Sequence, residues 1–421
     1  MGEVKVNDSH QTIKDRIKLL GPGIMSAAAA VGGSHLVSST KAGAIYGWQL
    51  ALVIILVNLF KYPFFKAGVQ YTVGTKESLI EGYSKMGKGY LLLFTVLTFT
   101  AAVVNTAALT VFSASLLSYF LPVQLPIMVL DLIVLASCLV LLFAGHYKAL
   151  DRLAKVIMAV LVVTTLVAVS IAMINGPIAP KSFETPTIWS LSAFGFIVIM
   201  MGWMPAPIEI SSLTSMWLKS QREKAQVTSK SALFDFNIGY IGTAILAVVF
   251  LALGALVLHG NGQEFASTSI GFSKQLVGMY ASTIGEWSRY LIAAIAFFCI
   301  YGSTITVIDG YSRALAESQR LIMNKTEDNG LHLNIWIVVV SVLAIVILAF
   351  FASALMSMLN FAMILSFVTT PIFALLNYIL ISQTNLEGDL KLGFKGKLLA
   401  QLGLIYLFGF LVMFIWYQWL M

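Results

Sequence analysis

Charge is what this sequence has least of. Only 11% of its 421 residues are Asp, Glu, Lys or Arg, while 59% are apolar and the mean hydropathy is +0.89. Soluble domains carry about 25% charged and about 45–50% apolar residues, so a water-soluble globular fold is excluded. Cysteine is almost missing. Cys138 and Cys299 both lie in apolar runs, which rules out a disulfide framework and a cysteine-based metal site. Residues 1–18 mix charges of both signs around no apolar core, so a cleavable signal peptide is not expected and the first span has to direct its own insertion. No nucleophile–base set and no metal-hydrolase motif occurs, so neither an enzyme nor a cofactor is expected.

What the chain does have is long apolar runs. A hydrocarbon core about 30 Å thick takes roughly 20 apolar residues per helix. That ruler gives eleven spans, near 19–45, 47–70, 90–120, 124–145, 150–174, 188–218, 232–259, 287–318, 333–353, 355–382 and 398–420. The stretch 333–382 is long enough for two helices rather than one broken helix. The connection 260–285, rich in Ser and Gly with apolar residues interspersed, is expected to lie along the membrane surface. The fold expected is an all-α membrane protein without a soluble domain.

The basic residues set the direction. With the N-terminus cytoplasmic, every Lys and Arg falls on the inner side except Lys41, Lys181, Lys274, Arg289 and the intraspan Lys61. The positive-inside rule then places the N-terminus inside and, after eleven spans, the C-terminus outside. The net charge of +7 is explained by the lipid bilayer, and no nucleic acid is implied. The absence of long soluble termini points to a bacterial inner membrane.

Two spans carry helix breakers at mid-bilayer depth. Span 1 contains Val31-Gly32-Gly33-Ser34-His35, and glycine costs about 1 kcal/mol relative to alanine inside a helix. Span 6 contains Met204-Pro205-Ala206-Pro207, where each proline removes a backbone donor and clashes with the turn before it. One such break is an ordinary kink. Two at equivalent places five spans apart are the mark of inverted-repeat secondary transporters. Spans 1–5 (19–174) and 6–10 (188–382) would be the two repeats, residues 1–18 a cytoplasmic segment and 398–420 an appended span. Residues 32–35 and 204–207 are expected to unwind together and leave peptide groups for a solute.

At these residues the chain resembles the Nramp (natural resistance-associated macrophage protein) family of proton-coupled divalent metal transporters. The shared features are Gly21-Pro22-Gly23, then Ala42-Gly43-Ala44 and Gly47-Trp48-Gln49-Leu50. Gly74-Thr75-Lys76-Glu77-Ser78-Leu79, Met204-Pro205, Asn237 and Ser303-Thr304-Ile305-Thr306 follow. The resemblance implies a LeuT-like 5+5 inverted repeat with broken helices 1 and 6, and a metal held by the Met204 sulfur and the Met201 carbonyl. The chain also departs from the family. Where the family has Asp-Pro-Gly-Asn, this sequence has Gly32-Gly33-Ser34-His35, so Gly32 replaces the Asp and His35 the Asn. Ala206 replaces the family's span-6 His, Thr369 falls at the span-10 glutamine, and residues 90–120 hold no acid.

Three side chains remain as metal candidates: His35, Met204 and Glu209. An ionisable residue such as Glu209, well inside a span, is costly and marks function by default; it stands as a replacement ligand or as the carrier of a coupled proton. Its bland alternative is a partner for Lys61. His35 opens the second half of span 1 and is either a packed, hydrogen-bonded ring or a group that takes metal or a proton. Met204 competes with 17 methionines that fill gaps. Lys61 either snorkels inward or takes part in proton coupling. Asp309 and Arg313, four residues apart, are expected to pair, while Asp151 and Asp235 stand at helix starts as capping groups.

The function expected is therefore a secondary transporter moving a divalent cation, with protons as a coupling candidate. The alternative is a carrier of an amino acid or carboxylate, because Gly32, Gly33, Ser34 and Ala206 leave room and no acid faces them in span 1.

Overall fold

Lipid offers the backbone no hydrogen-bond partners, so a chain this apolar folds as helices that satisfy themselves. A computed structural model describes residues 21–145, 147–180, 182–224, 227–262, 265–266, 268–325, 330–350 and 355–420. Every regular element among them is helical. The 1–18 segment, Lys181 and the 351–354 join lie outside the described residues, as do the side chains of Lys148, Asp151, Arg152 and Lys155.

The first span consists of α1 (Pro22–Ala30), a π-helical turn (Ser34–Ser39) and α2 (Thr40–Tyr46). Next come α3 (Ala51–Thr75), α4 (Leu79–Met86), α5 (Lys88–Leu117), α6 (Ile127–Phe143) and α7 (Tyr147–Asn175). The second half runs through α8 (Leu191–Trp203), α9 (Ile210–Lys224), α10 (Ser229–Val257), α11 (Ser269–Ile284) and α12 (Arg289–Ile322). It closes with α13 (Gly330–Phe350), α14 (Leu355–Gln383) and α15 (Phe394–Leu420). Seven of these stretches are long and apolar enough to cross a membrane, and Ile127–Phe143, Ala159–Asn175 and Leu191–Trp203 are shorter apolar helices. Each expected span has its helix or pair of helices among the described residues, and 333–382 is covered by Gly330–Phe350 and Leu355–Gln383 on either side of the undescribed 351–354.

Two short helices were not expected. Helix α4 follows the second span because Ser78-Leu79-Ile80-Glu81 is a capping box. The Glu81 carboxylate accepts from the Ser78 amide at 2.7 Å, and the Ser78 hydroxyl accepts from the Glu81 amide at 3.3 Å. Helix α11 lies within the 260–285 connection that was expected along the membrane surface. The Thr268 hydroxyl caps it, and Phe272, Leu276, Val277, Met279 and Tyr280 bury one face against α5, α7 and α12. The apolar residues in that loop were one stripe of an amphipathic helix.

The bundle has a protein-facing interior and a lipid-facing rim. In the apolar 18-residue window of Glu286–Ile322 the buried share is 72%, against 17% in that of Gly388–Gln418, so α12 is central while α15 lies at the rim. The broken first span rides on α10 through two close crossings. A Cβ at Gly23 would stand 2.4 Å from the Asp235 carbonyl oxygen, and one at Gly43 would stand 2.0 Å from that of Leu251. Gly239 and Gly254 face them from α10 with equally little space. Such small-residue contacts are how membrane helices approach closely without a hydrophobic driving force. Asp235 adds a polar anchor. Its carboxylate accepts from the amides of Gly21 at 3.1 Å and Gly23 at 2.7 Å, so it caps α1 from a different span and not its own helix, which Thr228 caps.

Candidate functional site

The two breaks lie side by side. In the first span, α1 ends at Ala30, Val31 and Gly32 form a turn, and the chain re-enters helical geometry at Gly33 (φ −61°, ψ −38°). The interruption is therefore narrower than the unwound 32–35 expected: residues 34–39 widen into a π turn instead. Its bonds explain why. The Leu36 amide reaches the Gly32 carbonyl at 3.2 Å, and the Ser34 hydroxyl lies 2.6 Å from the Ala30 carbonyl, which lost its helical partner at the turn. In span 6 the break is open. Met204 is extended (φ −91°, ψ 118°), and α9 does not begin until Ile210.

The two glycines of span 1 are small because of what sits above them. A Cβ at Gly33 would stand 2.5 Å from the Trp203 ring, and one at Gly32 would stand 2.9 Å from the Ser303 hydroxyl. Trp203 is held in turn by its indole N–H, which donates to Ser366 at 3.1 Å. Gly33 thus lets the last residue of α8 close on the first break, and Gly32 lets Ser303 of α12 do the same. Ser34 ties the breaks together, with its hydroxyl also 3.2 Å from the Pro205 carbonyl.

His35 does not face this junction. Its Nε2 donates to the Thr243 carbonyl on α10 at 2.8 Å, and Nδ1 lies 2.7 Å from the Ser34 hydroxyl and 3.2 Å from the Ala30 carbonyl. With both ring nitrogens engaged by protein, no lone pair is left for a metal. The ring is also packed edge-on against Phe250, so it serves as a buried strut between the first span and α10. Met204 is fully buried. The Met201 sulfur accepts from Tyr406 at 3.6 Å and points to α15. Thr369 bonds back to the Leu365 and Ser366 carbonyls of its own helix, in the ordinary manner of a buried threonine.

Lys61 does not snorkel. Its side chain is fully buried, and Nζ donates to the carbonyls of Met201 at 2.6 Å, Gly202 at 3.3 Å and Ala206 at 3.4 Å. Among the described residues no carboxylate forms an ion pair with it, so the alternative of Glu209 as a direct partner for Lys61 is not met by a contact. Glu209, 1% exposed, instead accepts from the Tyr311 hydroxyl at 3.1 Å through Oε1, while Oε2 has no hydrogen-bond partner. Tyr311 accepts from the Asn105 amide at 3.0 Å, and Asn105 Oδ1 is likewise unpartnered. A chain Asn105–Tyr311–Glu209 therefore ends in a buried, unsatisfied oxygen on each side. Asn105 and Tyr311 escaped the sequence reading. Their only signal was an amide and a phenol in otherwise apolar stretches of α5 and α12.

Between the breaks lies a cavity of about 40 Å³, lined by Ala29, Ala30, Gly33, Ser34, Trp203, Pro205 and Ala206, with Asn105, Leu109, Val307 and Tyr311 among the residues closing it. A smaller one of about 20 Å³ shares Ala30, Pro205 and Ala206 and extends towards Tyr240 and Thr243. A larger cavity of about 870 Å³ opens beyond the π turn, bounded by Leu36, Val37, Thr40, Leu258 and Gln275. Of the expected site residues, the structure brings Gly33, Ser34 and Ala206 to one cavity and places Glu209 one tyrosine away. It keeps His35, Met204, Thr369 and Lys61 off the cavity wall. Asp309 and Arg313 do pair, at 2.8 Å.

Two broken spans meeting at a shared cavity, inside a bundle of apolar helices, define an integral membrane transport protein. Comparison with known proteins narrows the class. Residues 23–417 match the family model described as Nramp, natural resistance-associated macrophage protein-like, and the chain belongs to that family. A Pasteurella multocida (strain Pm70) protein, described as uncharacterized protein PM0681, is 49% identical over 420 residues, covering 99% of this chain and 96% of that one. Among solved structures, a crystal structure of the Eremococcus coleocola manganese transporter superposes with a TM-score of 0.73. It is 14% identical, and the match covers 98% of this chain and 89% of that one. MhsT in complex with L-phenylalanine follows at a TM-score of 0.65 and 13% identity, covering 93% and 98%. These likenesses establish a LeuT-like transporter fold.

Proposed function

We propose that this protein is a secondary transporter that moves a divalent metal cation across the membrane by alternating access, and that Glu209 is the acid that couples the movement to protons. The observation that carries this reading is the cavity between the breaks. Its volume of about 40 Å³ accommodates a small ion with a few waters, since about 10–15 Å³ of such space suffices for one water. The unsatisfied oxygens of Asn105 and Glu209 at the ends of the Tyr311 chain are acceptors without donors, which a cation or a proton stabilises. Family membership supports a metal as cargo, and the Eremococcus coleocola protein of the same fold is a manganese transporter.

The architecture goes with the function. Residues 19–174 and 188–382 form the two inverted repeats, 398–420 the appended span and 1–18 a cytoplasmic segment. The N-terminus is inside and the C-terminus outside a bacterial cytoplasmic membrane. Cargo enters through the large cavity beyond the π turn and leaves past α9. With the span-1 aspartate absent, the cation keeps part of its water shell, as magnesium does and manganese can.

The test is uptake of Mn²⁺ and Mg²⁺ into proteoliposomes under an imposed pH gradient. Glu209→Gln should reduce uptake at least roughly tenfold, equivalent to about 1.4 kcal/mol, and abolish its dependence on the gradient. Transport of a neutral amino acid or organic acid, with no divalent ion moved, would overturn the reading.

A further inference from the structure

The end of α8 poses a problem that the proposed cargo does not solve. A helix that stops inside the membrane leaves carbonyls without partners, and its C-terminus carries about half a negative charge. No water or lipid headgroup can compensate that charge at this depth. The structure supplies a positive charge from another span. Lys61, from the middle of α3, reaches the break with a wholly buried side chain, and its ammonium group lies among three carbonyls on both sides of the interruption: Met201 and Gly202 at the end of α8, and Ala206 beyond it. Three acceptors meet a group with three N–H donors. A neutral amine would turn a lone pair towards one of them.

We propose that Lys61 is a tethered cation: its ammonium permanently fills a carbonyl cage at the span-6 break, so this position is closed to any free cation. The cage includes the Met201 carbonyl, the atom that family resemblance would offer to a metal. Cargo is therefore held on the opposite wall of the break, where Ser34, Asn105 and Tyr311 line the cavity and Lys61 does not. The lysine also places a fixed positive charge across Ala206 from the cargo, since the Ala206 carbonyl bonds Nζ while the residue lines the cavity. A cation at this site thus has less carbonyl coordination and more repulsion than an all-carbonyl cage would give, which leaves it to the unpaired Asn105 oxygen and to Tyr311, with Glu209 behind it. The inference rests on the proposed site for its consequence, but the cage itself stands on contacts alone.

The experiment uses thermal unfolding of the purified full chain in detergent, which needs no transport. Lys61→Ala should lower Tm by at least about 3 °C and, unlike the wild type, recover it saturably with methylammonium, which is small enough to enter the cage. Tetramethylammonium, without N–H donors, should not rescue it. Lys61→Met keeps the volume of the stem and provides a second folded variant, expected to be destabilised and to respond to Na⁺ where the wild type does not. A Lys61→Met protein as stable as the wild type would overturn the proposal, as would variants that lose stability yet answer to no cation. If Lys61→Ala does not fold, Lys61→Met alone decides. Failure of metal uptake with cation rescue intact would sink the proposed cargo and leave the cage standing.

Discussion

The two helix breaks share a cavity but are stabilised in different ways. The break in the first span is satisfied almost from within: the Ser34 hydroxyl reaches back to the Ala30 carbonyl, and the π turn re-forms backbone bonds two residues past the gap. The break in span 6 has proline on both sides of Ala206, so its own backbone cannot close it, and it depends on a lysine 140 residues away in sequence. A break built from glycine can stay nearly helical, because nothing forbids it. A break built from proline has to be completed by the rest of the fold. This is why the first break behaves as a hinge-like turn against α10, and the second as a charged socket.

The contrast can be sharpened by loading the first break. Gly33→Ala puts a Cβ 2.5 Å from the Trp203 ring. Overpacking of this kind costs about 1–3 kcal/mol, and the lowered Tm should be partly restored by Trp203→Phe, whose smaller ring leaves space. A Gly33→Ala protein of full stability would mean that Trp203 moves aside freely and that the breaks are not pressed together. Ser34→Ala removes the hydroxyl 2.6 Å from the Ala30 carbonyl, and the loss should be about 0.5–1.5 kcal/mol, measured as a shift in denaturation midpoint. A loss clearly above that range would show that the first break leans on outside support as the second does.

The smallest expected effect lies outside the spans. Glu81, in the connection before α5, meets the Lys219 ammonium at 2.7 Å and links α4 to α9 below the span-6 break. Burial pushes its carboxyl up, but the hydrogen bond from Lys219, the Ser78 amide and the ammonium charge more than offset this and hold it below the usual carboxylate range. A depressed acid stabilises the folded form above its unfolded value, and that stability fades as pH falls towards the folded value. Tm should therefore drop on acidification below about pH 4.3. Glu81→Gln should flatten that drop while costing about 0.5–1 kcal/mol at neutral pH. An unchanged acid limb in Glu81→Gln would remove this link from the account of how α9 is held.

Much of this was open to a reader of the residues, for local reasons. Apolar run length gave a helix or helix pair at every expected span, and Gly32-Gly33 and Met204-Pro205-Ala206-Pro207 marked where two of them stop. The capping box at Ser78 and Glu81 was equally legible and simply passed over, and the apolar stripe of α11 was hidden by its Ser and Gly content. The site was less legible. His35 and Lys61 carried the right chemistry in the right spans, yet one turned to Thr243 and the other to Met201. Asn105 and Tyr311, which line the cavity, looked like incidental polar groups.

By itself the sequence determined that the chain lives in lipid as helices and that two of those helices fail at mid-span, because hydropathy and the backbone limits of glycine and proline act within a few residues. Only the tertiary structure decided which side chain completes each failure and which oxygens are left unpaired. A buried carbonyl takes whichever donor the packing of distant spans brings to it, and nothing in the neighbouring sequence fixes that choice.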